Sequence, residues 1–259
     1  MNNEPEQLGI DAEEIKNSCF LRGKDTGCSA TLLGKVVLIG FLVNDGESEW
    51  TDEAQAACAQ MLKSASARLM AESRLGVEKL QIAYAFCQVS VPYVVTRQNG
   101  ETCRQDVLKQ FGEYASVQAY QEHYERKFAR DEAVISLIFN KPFRSYAYNV
   151  STPNSDGDEI SMVSFNANDL SASENTFVHE LLHQFGAIDY YYPEIMEFKA
   201  KKRFPNSVML SGETVDDFTR FIIGWDETPS AEARAFWEDI KGISETLVEY
   251  ARKKEFTEG

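Results

Sequence analysis

Two of the chain's three histidines stand four positions apart, at 179 and 183, and a glutamate directly follows the first. The surrounding stretch, Asn175 to Pro193, reads "NTFVHELLHQFGAIDYYYP". On a helix of about 3.6 residues per turn, His179 and His183 lie one turn apart and about 40° around the axis, so both imidazoles point the same way. Two nitrogens from one rigid element then reach a single zinc ion at about 2.0 to 2.1 Å. Glu180 projects about 100° further round, too far to join the ligands but close enough to meet a water that such an ion acidifies from about 15.7 toward 7. A carboxylate there takes the proton as the water oxygen attacks a carbonyl. The bland alternative is a surface helix whose histidines are merely solvated.

A catalytic zinc takes a third protein ligand and keeps one position open. Gly186 follows His183 by three residues, and a glycine adopts the positive φ that turns the chain back toward the metal. Asp189 stands six residues beyond His183 and is the expected third ligand, with Glu194 and Glu197 as competing carboxylates. The remaining histidine, His123, lies beside Tyr120 and Tyr124 in a predicted helix and reads as a rim residue.

These residues need a helix under them. "SASENTFVHELLHQFG" places Ser171 and Glu174 at capping-box spacing, then Phe177, Val178, Leu181, Leu182 and Phe185 on one apolar stripe, then Gly186 as a left-handed stop. Upstream, "KVVLIGFLV" is a β-branched run bounded by Asn44, Asp45 and Gly46, which predicts a buried strand. Thr51 is the predicted N-cap of a helix through "SEWTDEAQAACAQMLKSASARLMAES", and "VEKLQIAYAFCQVSVPYVV" completes a βαβ unit. Helical periodicity returns from Gln105 to Arg130, a third strand falls at Ala133 to Asn140, and "RSYAYNV" and "EISMVSFNA" form a hairpin about the polar turn "TPNSDGD". The basic stretch "KAKKRF" carries no assignment, and a long helix is predicted from about Pro229 to Phe256. The expectation is a single α/β (α+β) domain with a twisted, mixed sheet over residues 31–259, preceded by an N-terminal arm over residues 1–30.

With Gly186 and Asp189 in place, HExxHxxGxxD resembles the metzincin clan of zinc peptidases, especially its aspartate-bearing form as in the snapalysin family. The resemblance rests on Phe177 to Asp189 and on "NSVMLSG", Asn206 to Gly212, which is similar to the clan's methionine turn. It implies a mostly parallel sheet with an antiparallel edge strand above the cleft, a zinc-binding active-site helix, and Met209 beneath the metal, with Met196 in "PEIMEF" as a weaker counterpart. "DDFTRFIIGW" is then the helix after that turn. Ser211 stands where some clan members carry a carbonyl-polarising tyrosine; Tyr190, Tyr191 and Tyr192 are the neighbouring tyrosines that could replace it. The clan also implies latency imposed by a cysteine of an N-terminal arm, here Cys19 or Cys28. Arg144 to Val150 is the expected edge along which an extended peptide adds by main-chain hydrogen bonds.

Composition narrows the partners. A formal charge of −15 argues against nucleic-acid backbones and anionic membranes, and the longest apolar run, Val36 to Val43, falls far short of the roughly 20 residues that span a bilayer. The start of the chain lacks the basic and apolar regions of a secretory leader, so the expectation is a cytoplasmic protein, or a secreted one whose leader has been removed. Five cysteines cannot all pair within one chain; Cys58 and Cys87 read as small buried hydrophobes, and Cys19 with Cys28 is the candidate bridge. The function expected is a zinc-dependent endopeptidase: His179, His183 and Asp189 on Zn2+, Glu180 as base and proton donor, Met209 as support, and a peptide or protein as substrate. The rivals are a catalytically silent binding protein of the same architecture and a zinc hydrolase of a small amide.

Overall fold

A computed structural model describes residues 31–112, 117–148, 160–191 and 194–242. The N-terminal arm with Cys19 and Cys28, the polar turn at 152–158, Tyr192 and the chain beyond 242 lie outside the described residues.

The apolar run Val36 to Val43 is buried throughout, as a strand covered on both faces must be. It forms most of β1 (Gly34–Asn44), which pairs in parallel with β2 (Leu80–Ser90) on one side and β3 (Glu132–Phe139) on the other. β3 pairs in parallel with β5 (Ile160–Ser164), and β4 (Tyr146–Tyr148) closes that side as an antiparallel strand. The sheet therefore runs β2-β1-β3-β5-β4, mixed and five-stranded, with the antiparallel member at an edge.

Alternation along β1 sorts the core into two layers. Val36, Leu38 and Leu42 face α1 (Asp52–Ser73) and α4 (Leu170–His183), where they pack with Cys58, Leu62, Leu69, Phe177, Val178 and Leu181. Val37, Ile39, Phe41 and Val43 face α2 (Gly100–Lys109) and α3 (Val117–Phe128), among Val107, Tyr120 and Tyr124. Three further helices complete the α4 side: α5 (Glu194–Arg203), α6 (Asp217–Ile222) and α7 (231–242). Among the described residues no helix is long and apolar enough to cross a membrane.

Several sequence expectations shift in detail. The helical periodicity of 105–130 is split between α2 and α3, with Gly112 at φ 141° in the intervening segment, a conformation closed to other residues. The cap of α4 is Asp169, whose side chain accepts from the Ala172 amide at 3.0 Å, not the box of Ser171 and Glu174. Ser171 already lies inside the helix, and Glu174 turns to Arg68 at 3.7 Å. The unassigned basic stretch is the last turn of α5, where Lys201, Lys202 and Arg203 meet the negative end of the helix dipole. Ser230, not Pro229, starts α7: its hydroxyl accepts from the Ala233 amide at 3.1 Å. Thr51 caps α1 as expected, accepting from the Ala54 amide at 3.2 Å.

Candidate metal centre

Helix α4 delivers both histidines at its C-terminal end. Its apolar stripe of Phe177, Val178, Leu181 and Leu182 is fully buried against the sheet and α1, so the opposite side of the same turns can carry the imidazoles. Just beyond the helix, Gln184 locks this end to the sheet: its amide donates to the Ile135 carbonyl at 3.3 Å and to the Ser161 hydroxyl at 3.2 Å. Gly186 then turns with φ 89°, the left-handed conformation expected of it, and the chain returns to bring Asp189 back over the helix end.

The result is a triangle of three atoms. Asp189 Oδ1 lies 3.0 Å from His179 Nε2 and 3.1 Å from His183 Nε2, and the two nitrogens are 3.2 Å apart. Four ligands arranged tetrahedrally at zinc's usual 2.0 to 2.1 Å stand about 3.3 Å from one another. The triangle has the size of one face of that tetrahedron.

Protonation decides what the triangle can hold. His179 Nδ1 sits 2.8 Å from the Val208 carbonyl, and His183 Nδ1 sits 2.8 Å from the Ala187 carbonyl. A carbonyl only accepts, so each Nδ1 carries the proton and each Nε2 of a neutral ring presents a bare lone pair. Three acceptors thus converge with no donor between them, and Asp189 Oδ1 is a buried oxygen without a hydrogen-bond partner. Two charges can relieve that arrangement: a metal cation, or a proton on an imidazole. The electrostatics already lean toward positive charge. Burial alone would lower the His183 pKa, and Asp189 outweighs it and raises it; burial alone would raise the Asp189 carboxyl, and the two imidazoles hold it well below the usual carboxylate range. Two imidazole nitrogens and one carboxylate oxygen form a three-ligand donor set that suits zinc, with a fourth position left free.

Glu180 is the second carboxylate of the cluster, with an oxygen within 4.8 Å of the imidazole nitrogens. Asp189 reaches both nitrogens from one oxygen at the shorter separations of 3.0 and 3.1 Å, so it is the carboxylate better placed to share an ion with the imidazoles, with Glu180 alongside. Glu180 is 5% exposed, and its Oε2 has no hydrogen-bond partner. Burial is the main reason its carboxyl is pushed up from 4.5 to about 7; His179 and Arg144 oppose this and Asp189 adds to it. A carboxyl poised near neutrality accepts and returns a proton with little free-energy cost.

The remaining expected residues divide clearly. Met209 is buried in the turn beneath the site, where its carbonyl accepts from the Tyr190 amide at 2.9 Å. The bond from this turn to an imidazole comes from its neighbour Val208. Of the three tyrosines, Tyr190 is buried and points its hydroxyl at Asp216 and Thr219, whereas Tyr191 faces the site. Its ring lies nearly parallel to that of His179, with centroids 6.2 Å apart. Burial first, then Asp189, raise the pKa of its hydroxyl. Ser211 is exposed on the turn. Glu197 pairs with Lys201 at 2.5 Å on α5 and Glu194 is exposed there, so neither joins the triangle. His123 packs edge-on against Tyr124 on α3, across the sheet from the centre. Cys58 and Cys103 are buried free thiols, and Cys87 is half-buried.

Sequence reasoning missed the carbonyls of Val208 and Ala187, because backbone acceptors leave no mark on residue type. It also missed Gln184, whose position directly after His183 was the one available signal. No protein-family model matches the chain, and no curated protein matches it significantly.

Proposed function

We propose that the protein is a zinc-dependent endopeptidase. The observation that carries this reading is the convergence of His179 Nε2, His183 Nε2 and Asp189 Oδ1, three acceptors at 3.0 to 3.2 Å with no donor among them, beside a buried glutamate. His179, His183 and Asp189 hold the ion, each imidazole fixed in tautomer and orientation by its carbonyl partner. Zinc bound there supplies Lewis acidity, acidifying water and polarising a carbonyl oxygen.

The chain's own groups perform the rest. Glu180 takes the proton of the attacking water on its free oxygen and passes it to the departing amine. Tyr191 presents a phenolic hydroxyl on the same side and can donate to the oxygen on which charge builds. Substrate orientation falls to β4. This short antiparallel strand pairs only with β5 among the described residues, and α4 packs against both, so an extended peptide adding to its open side runs past the cluster. Met209 and its turn support the site from below, through the Val208 carbonyl on His179.

Incubating zinc-loaded protein with a degenerate peptide library and reading the products by mass spectrometry tests the proposal. The parent should release internal cleavage products, and Glu180→Gln should retain one zinc and release none. Cleavage by that variant at the parental rate would remove Glu180 from the mechanism, and an intact library with the parent would remove the endopeptidase reading.

A further inference from the structure

A closed ring of buried hydrogen bonds lies behind the metal centre, and none of its members belongs to the triangle. It starts at Asp216, the N-cap of α6. Asp216 Oδ2 accepts from the Ser207 hydroxyl at 2.6 Å, and Ser207 Oγ in turn accepts from the Met209 amide at 3.1 Å. The Met209 carbonyl accepts from the Tyr190 amide at 2.9 Å, and the Tyr190 hydroxyl returns to Asp216 Oδ1 at 3.2 Å. The carboxylate also accepts from the amides of Phe218 and Thr219 at 2.9 and 3.0 Å and from the Thr219 hydroxyl at 2.8 Å.

The ring's path gives it meaning. Ser207 and Met209 flank Val208, whose carbonyl fixes the His179 imidazole at 2.8 Å. Tyr190 follows Asp189, whose oxygen lies 3.0 Å from that same imidazole. One carboxylate therefore joins the residue before the histidine's orienting carbonyl to the residue after the third acceptor. Capping a six-residue helix would need only the two amides. Burying a carboxylate is costly unless every lone pair is used; of the three bonds beyond the two amides, that of the Thr219 hydroxyl stays within α6 and those of Ser207 and Tyr190 lead to segments that carry the centre.

We propose that Asp216 is a positioning residue for the metal centre, holding the turn of Val208 and the loop of Asp189 in register so that His179 keeps its Nδ1-protonated tautomer and its bare Nε2 toward Asp189. This deepens the zinc reading and rests on it for the consequence that affinity depends on Asp216. The positioning itself is a property of the metal-free chain. Outer hydrogen-bond partners of this kind typically alter metal affinity by about 10- to 100-fold.

The test uses the 259-residue chain labelled with 15N-histidine, in which three imidazoles give a readily assigned spectrum. In the metal-free parent His179 and His183 should both report the Nδ1–H tautomer. In Asp216→Ala the His179 signal should move to the Nε2–H form or average between the two, while His183, held by Ala187, stays as it was. Zinc titration of the same samples should show affinity reduced about 10- to 100-fold, with Asp216→Asn intermediate because its one oxygen still accepts from Tyr190 while its nitrogen can no longer accept from Ser207. Should Asp216→Ala fail to fold, Ser207→Ala and Tyr190→Phe each cut one link and leave the carboxylate; the former should perturb His179 more than the latter. An unchanged His179 tautomer and unchanged zinc affinity, with only a lowered melting temperature, would overturn the proposal. A parent that binds no zinc would instead overturn the metal reading, and the tautomer of His179 in the variants would still decide the role of Asp216.

Discussion

Two of the buried clusters of ionisable groups among the described residues are built on opposite plans. At the end of β1, Asp45 meets Lys141 at 2.5 Å, accepts from the amides of Glu47, Ser48 and Val95 at 3.1, 2.7 and 2.7 Å, and leaves no lone pair idle. Lys141 spends its other protons on the Val95 carbonyl at 2.9 Å and on Glu47 at 3.4 Å. Burial would raise the Asp45 carboxyl, yet Lys141 and the amides outweigh it and the pKa falls. At the end of α4, by contrast, acceptors face acceptors. A cluster in which each donor meets an acceptor is complete and serves the fold; one whose lone pairs converge is complete only when a metal cation or a proton comes between them. On the zinc reading proposed above, that difference separates a structural lock from a binding site.

Breaking the two clusters should therefore have different consequences. Glu180→Gln should produce the largest change, a loss of peptide hydrolysis of at least about 10³-fold in steady-state assays, with the folded protein and its zinc retained. Asp45→Asn should do the reverse. It strands a buried ammonium and should cost about 3 to 5 kcal/mol in urea unfolding, with zinc stoichiometry unchanged.

The pH dependence sharpens the contrast further. Glu180 holds its proton up to about 7 in the folded chain and loses it near 4.5 when unfolded. The folded state thus carries more protons between those values, so metal-free protein should lose stability as pH rises from about 4.5 to about 7, by on the order of 3 kcal/mol at about 1.4 kcal/mol per unit. Glu180→Gln should flatten that slope in pH-dependent melting. Asp45 has the opposite sign: its depressed pKa contributes stability that is present above the ordinary carboxylate value and disappears as pH falls below it. The smallest effect expected is that of Asp169→Ala, which removes the cap of α4 far from the triangle. It should cost about 1 kcal/mol in thermal unfolding and leave zinc affinity within a few-fold of the parent.

What could be read from residue types was whatever repeats or pairs locally. The buried runs of β1 and β3, the apolar stripe of α4, the turn at Gly186 and the six-residue spacing to Asp189 all follow from local period or from one glycine's freedom. Harder to read was anything settled by distant contacts. Asp169 and Ser171 are both good caps two positions apart, and it is Asp169 that takes the role, with Ser171 inside the helix. Three consecutive tyrosines share one composition, yet only the returning loop determines that Tyr190 turns inward to Asp216 and Tyr191 toward His179. Asp216, 33 residues after His183 in the chain, has no sequence feature linking it to the site. The ring that connects them passes through main-chain amides and carbonyls, which every residue type shares.

The central claim is that three converging acceptors exist to hold one divalent ion. Isothermal titration of metal-free protein with zinc, followed by elemental analysis after gel filtration, tests it most directly. The account predicts one zinc per chain for the parent, bound with release of protons and more weakly as pH falls, and none retained by His183→Ala. Equal retention of zinc by the parent and by His183→Ala, or none by either, would contradict it.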